Sequence, residues 1–355
     1  MPDSALCRGQ QGRAVIARIL RNAVVVVTGA SSGIGRATAL AFAHEGARLV
    51  LAARSDDALL DVVRDCERLG GSALAVHTDT TDPAAMRHLA TRAASFGDGR
   101  IDIWINNAGI ASFGRFLDVP ADAHDQVIRV NLIGYLHGAH AALPYFERQG
   151  QGVLINVVSM AAWAPTPLAA SYSASKFGNR GLSETLRVEL AGSGKQIHVC
   201  DLYPAFVDTP MLEHTANFEG IQINAVPPVV PVDRVAARIV SIARRPRPTS
   251  MIGVAVPLAT SFHALLPGLF RRAVGTSARL YLALAPAAPK TGAGLYAASP
   301  GAHGATGNLL PSRSRMPRAT GAALAAGAAL GLGGLAAWRL LRARSPHPAG
   351  PPDAA

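Results

Sequence analysis

A doubly wound parallel α/β sheet of about seven strands, with helices on both faces and a C-terminal extension, is the fold this sequence predicts. Three observations carry that expectation. Short β-branched runs alternate with helical stretches from residue 23 to residue 255. The first run, residues 24–27, is continuously apolar, as a strand covered on both faces must be. It ends in a glycine-rich turn, Thr28-Gly29-Ala30-Ser31-Ser32-Gly33-Ile34-Gly35, which opens a helix.

The elements follow in order. The first helix is predicted over residues 34–44. A second strand at 48–53 precedes a helix starting at Asp56, and a third strand at 73–77 precedes a helix with Pro83 in its first turn, where the missing N–H costs nothing. A fourth strand occupies 101–105. Residues 121–148 read as one long helical region that Pro144 bends or ends. A strand at 153–158, a helix at 171–190, a strand at 197–202, a helix at 231–243 and a last strand at 250–254 complete the body.

The 355 residues are 49% hydrophobic, enough for a full-sized core. Residues 1–22 read as a leader, amphipathic or disordered rather than secretory, because Arg18 breaks its apolar run and no small-residue cleavage site follows. Residues 23–255 form the main domain. Residues 256–317 are an apolar and basic extension, linker-like from 285 onward, and 318–355 form a tail. Cys7, Cys66 and Cys200 are too few and too far apart for a disulfide framework or a thiolate zinc site, which fits a reducing compartment. His137 and His140 lie three apart on a helix but lack a third ligand, so no metal is expected.

The net charge of +11 is unevenly placed: residues 241–350 contain no Asp or Glu. A basic, apolar tail without interleaved aromatics suits an anionic membrane surface and not nucleic acid. Residues 319–338 carry no charge and have the length needed to cross a bilayer, but are rich in Ala and Gly. A membrane-inserted or membrane-lying tail, a disordered tail and a helix packed on the body all stay open. An inserted tail would keep the catalytic domain on the cytoplasmic side.

The chemistry gathers in three places. The glycine turn, Gly-x-x-x-Gly-x-Gly, lets a pyrophosphate approach the backbone at a helix N-terminus, with Gly29, Ser31, Ser32, Gly33, Ile34 and Gly35 as contacts. The second strand ends at Arg54, where an acid would hold the ribose 2′-hydroxyl of NAD, and Arg36 adds a second cation; both suit the 2′-phosphate of NADP(H). Asp56 and Asp57 come late and suit a helix cap. Finally, Tyr172 and Lys176 stand one helical turn apart, so the ammonium is expected to favour the phenolate, while Ser159 brings a hydroxyl from a strand end. That set moves a proton on a carbonyl or alcohol oxygen.

With Asp79 after the third strand, Asn106-Asn107-Ala108-Gly109 after the fourth, Asn131 and Pro204, residues 22–255 resemble a short-chain dehydrogenase/reductase of the single-domain type. The resemblance implies a Rossmann-like fold. It makes Tyr172 the general acid/base and Lys176 the residue that lowers its pKa and holds the nicotinamide ribose. Ser159 would bind the substrate carbonyl, and Asn131 would support a water joining Lys176 to solvent. It also places Asp79 at the adenine, Asn107 in the cofactor cleft and Thr209 at the carboxamide, and implies pairing through the helices that carry Asn131 and Tyr172. One departure bears on the turn beside the nicotinamide: Pro204-Ala205 stands where the family usually has Pro-Gly.

The expected function is an NADP(H)-dependent oxidoreductase passing a hydride between nicotinamide and a carbonyl or secondary alcohol. The loops after strands four, five and six carry Ile110, Phe113, Met160, Trp163, Phe206 and Phe218, with Arg115 as their one cation, so the substrate is expected to be apolar. Two rivals are weaker. An isomerase or dehydratase of the extended type would need a sugar-nucleotide domain, and the reach from Lys176 to Pro204 is short. A membrane-tethered nucleotide binder without turnover would not need the intact Ser/Tyr/Lys set.

Overall fold

The computed structural model describes residues 19–225, 228–297, 303–307 and 309–310. Its strands are β1 (Val24–Thr28), β2 (Arg48–Ala53), β3 (Ser72–His77), β4 (Ile103–Asn106), β5 (Ser112–Phe113), β6 (Gln151–Val157), β7 (Gln196–Pro204), β8 (Ala216–Asn217) and β9 (Thr249–Ile252). Seven form one parallel sheet in the order β3-β2-β1-β4-β6-β7-β9. The order reverses between β1 and β4, and in such sheets the crevice beyond the strand ends at that point receives the ligand. The short β5 and β8 pair separately and were not predicted.

The helices are α1 (Gly33–His44), α2 (Asp56–Arg68), α3 (Pro83–Phe96), α4 (Ala121–Ile128), α5 (Gly134–Gln149), α6 (Ala170–Ala191), α7 (Val232–Arg244), α8 (Ala255–Leu265) and α9 (Pro267–Leu284). Strand residues alternate between two cores. Val25, Val27, Leu49 and Leu51 pack with Phe42 of α1, Leu59 of α2 and Ile239 of α7. Val26, Val50 and Leu154 pack with Leu89 of α3 and Phe146 of α5. Both faces are thus dry, and each buried valine or leucine contributes about 1.5–3 kcal/mol.

Three expectations change. The helical region at 121–148 is not continuous: a π-turn, Arg129–Ile133, separates α4 from α5, and Pro144 lies inside α5 without ending it. The N-cap of α2 is Ser55, while Asp56 pairs with His77 instead of capping. The stretch from 285 is not a free linker over its described part. Thr291 bridges Asn217, Ala287 bridges Ile221, and Leu295 is buried against Val119 and Val127. Of the leader, residues 19–22 pack on the body through Leu20; residues 1–18 and the 318–355 tail lie outside the described residues. Among the described residues no helix is long and apolar enough to cross a membrane, and no cluster of metal-ligating side chains occurs.

Candidate active site

The glycine turn is shaped by close approach. Gly29 has φ +65°, and a Cβ on Gly35 would lie 2.1 Å from the Gly29 carbonyl oxygen, so neither position admits a side chain. Asn107, at the end of β4, donates its Nδ2 to the carbonyls of Thr28 (2.9 Å) and Gly29 (3.2 Å). Its amide side chain thereby ties the turn to the neighbouring strand. Ser32 is the N-cap of α1, yet its hydroxyl makes no cap bond, so it is not consumed by the helix. Thr209 sits opposite: its side chain would be 3.4 Å from a Cβ on Gly33.

The two arginines differ. Arg36 is tied to Asp65 of α2 at 2.6 Å, which offsets its charge, and also donates to the His303 carbonyl at 2.8 Å. Arg54 has no carboxylate partner among the described residues and donates to the carbonyls of Tyr296 (2.8 Å) and Ala297 (3.2 Å). The Gly33 N–H at the start of α1 donates to the Gly304 carbonyl at 3.0 Å. These donors are therefore aimed at oxygen acceptors, and the turn has no room for a side chain at Gly29 or Gly35, as a close approach of a dinucleotide's phosphates requires. Asp79 folds onto its own loop, accepting from the Thr81 N–H and hydroxyl, both at 2.8 Å.

The proton-transfer residues come together. Lys176 Nζ lies 5.5 Å from the Tyr172 ring centroid and 5.0 Å from that of Tyr135, and donates to the Val157 carbonyl at 3.3 Å. Ser159 caps a short 3₁₀ turn by accepting from the Ala161 N–H at 3.1 Å, and hydrogen-bonds the Tyr172 phenol. The charge balance departs from the expectation that Lys176 pulls the phenol down. Burial raises the Tyr172 pKa, and the Ser159 hydroxyl only partly offsets it. Burial also lowers Lys176 to about 7, so its ammonium is only partly populated near neutrality.

Asn131 sits in the π-turn. Its amide clamps Ile110 from both sides, accepting from the N–H and donating to the carbonyl, each at 2.9 Å. Its backbone carbonyl accepts from Asn179 Nδ2 at 2.8 Å. Asn179 escaped the sequence reading, although it lies one turn beyond Lys176 in a buried polar stripe with Ser175 and Ser183. The loop aromatics also divide. Ile110, Phe218 and Tyr172 all pack against the small cluster of Val119, Val127, Ala216 and Leu295, whereas Trp163 turns into the main core, edge-on to Tyr203, and Phe116 is exposed against His124.

Known proteins agree with this geometry. The short chain dehydrogenase family matches residues 23–220. The oxidoreductase YxnA of Bacillus subtilis is 31% identical over 324 residues, covering 90% of each chain. A short chain dehydrogenase/reductase from Burkholderia phymatum, solved with NAD, superposes with TM-score 0.63 at 26% identity over 70% of this chain and 94% of its own. An alcohol dehydrogenase from the archaeon Thermococcus sibiricus, complexed with 5-hydroxy-NADP, gives TM-score 0.57 at 25% identity over 65% and 95%. The chain belongs to the short-chain dehydrogenase/reductase family. It is an oxidoreductase of that type, with a nicotinamide-dinucleotide fold.

Proposed function

We propose that the protein reduces the carbonyl of an apolar ketone or aldehyde with NADPH. Gly29, Ser31, Ser32, Gly33, Ile34, Gly35 and Thr209 would line the dinucleotide, with Asp79 and Asn107 at the adenine side and cleft. Arg54 would take the 2′-phosphate, and Arg36, neutralised by Asp65, would play the smaller part. When bound, the cofactor supplies the hydride. Ser159 would hold the substrate oxygen, and Tyr172 would give it a proton. Lys176 would hold the nicotinamide ribose and help return a proton to the phenol, and Asn131, held by Asn179, would support a water that joins Lys176 to solvent.

The observation that carries this reading is the juxtaposition of three groups: Lys176 Nζ lies 5.5 Å from the Tyr172 ring centroid and is held by the Val157 carbonyl, and Ser159 stands at the end of the strand that supplies that carbonyl. Ile110 and Phe218, packed against the same apolar cluster as Tyr172, support an apolar substrate. Outward-facing Leu136, Phe177 and Val188 on α5 and α6 support pairing of two chains, which sedimentation would measure. The test is NADPH oxidation across a panel of ketones and aldehydes. Tyr172→Phe should lose at least about 100-fold in turnover and stay folded. Undiminished turnover by that variant would end the proposal, and activity confined to small charged keto acids would reject the apolar substrate.

A further inference from the structure

The donors assigned above to the dinucleotide are in use. Carbonyl oxygens of the C-terminal extension occupy the Gly33 N–H (from Gly304, 3.0 Å), Arg36 (from His303, 2.8 Å) and Arg54 (from Tyr296 and Ala297, 2.8 and 3.2 Å). Apolar anchors hold the segment there. Leu295 is 1% exposed in the cluster that Tyr172 packs against, and Ala305 packs against the cluster of Ala37, Val232 and Ala236, as does Ile34 of the glycine turn. Polar pins add to them: the Tyr296 hydroxyl donates to Asp122 at 2.6 Å, and Asp208 Oδ1 accepts the N–H of Gly307 (3.1 Å) and of Leu309 (2.9 Å). The alignment with YxnA covers 90% of this chain and so extends beyond residue 310.

We propose that residues 295–297 and 303–307 are an intramolecular competitor for the cofactor site. The inference rests on the reading that Gly33 and Arg54 hold the dinucleotide. One backbone N–H serves one strong acceptor, so a phosphate oxygen reaches Gly33 only after the Gly304 carbonyl has left. The seated segment therefore lowers the fraction of chains open to nucleotide and weakens apparent affinity by that fraction. Arg54 releases two carbonyls as it takes a phosphate, so a nucleotide bearing the 2′-phosphate displaces the segment better than one without it.

Gly307 offers a handle. A Cβ there would lie 2.2 Å from the Thr209 carbonyl oxygen, so Gly307→Val cannot seat the segment. Two measurements on the full-length chain test the proposal: fluorescence titration of wild type and Gly307→Val with NADPH and NADH, and hydrogen exchange at the Gly307 and Leu309 amides with and without saturating NADPH. The expected results are roughly three- to tenfold tighter NADPH binding by the variant, and faster exchange at both wild-type amides once NADPH is bound. Slower or unchanged exchange there, or weaker binding by the variant, would overturn competition while leaving the dinucleotide reading intact. Failure of both proteins to bind either nucleotide would remove that reading and the proposal with it.

Discussion

Replacing Lys176 by Met should make the protein more stable at pH 6 and no more stable at pH 9. Lys176 is 3% exposed, and burial places its pKa at about 7 against an ordinary 10.5. Between those values the unfolded chain holds a proton that the folded chain does not, so protonation pulls towards unfolding. The handicap is complete below pH 7 and fades as pH rises through 10.5. At 1.36 kcal/mol per pKa unit it amounts to about 5 kcal/mol at pH 6 and about 2 kcal/mol at pH 9. The methionine gives up the neutral amine's bond to the Val157 carbonyl and its N–H contact over the Tyr135 ring, together about 2 kcal/mol. Val157 keeps the Tyr135 hydroxyl at 2.7 Å, so no acceptor is stranded. The net gain is then about 3 kcal/mol at pH 6 and near zero at pH 9. Urea unfolding of both proteins at the two pH values measures it, alongside loss of turnover in the variant. A stability difference that does not change with pH would refute the buried, partly deprotonated lysine.

Arg54→Asp should lose about 10–100-fold in kcat/KM with NADPH, the worth of one charged hydrogen bond, and gain with NADH; steady-state kinetics with both cofactors decides it, and an unchanged ratio would remove Arg54 from the 2′-phosphate. The composition of residues 318–355 sets up a test of the expected membrane-associated tail. If that expectation holds, removing residues 311–355 moves the protein from the membrane to the soluble fraction on cell fractionation, and an unchanged distribution would reject it.

The sheet was legible because its strands are buried on both faces: Val24 to Val27 form a continuous apolar run, and the expected seven strands form one parallel sheet. Tyr172, Lys176 and Ser159 were legible because helix spacing and a strand end put them together. What escaped has physical reasons. The seated extension binds through backbone carbonyls, and a carbonyl looks the same under every side chain, so a Pro/Gly/Ala-rich stretch reads as a linker. Trp163 reads as a pocket aromatic until Arg180 stacks 3.4 Å from its ring centroid and Tyr203 meets its edge, both of which depend on how α6 lies against β7. The phenol's acidity depends on depth, which spacing does not encode. Asn179 had a signal, the helical recurrence of Ser175, Asn179 and Ser183, but small polar residues on a helix more often face water.

The π-turn at Arg129–Ile133 fixes the rotational phase of everything after it. One residue more or less in a helix swings the following side chains by about 100° about the axis. Deleting a residue there would smooth α4 and α5 into a regular rod but carry Tyr135 away from Val157, and Gly138 away from Trp104 and Asn106, whose side chains leave it no room for a Cβ. A local irregularity thus sets the alignment of the catalytic floor, and evolution can shorten or lengthen this chain far more freely in its surface loops than at those five positions.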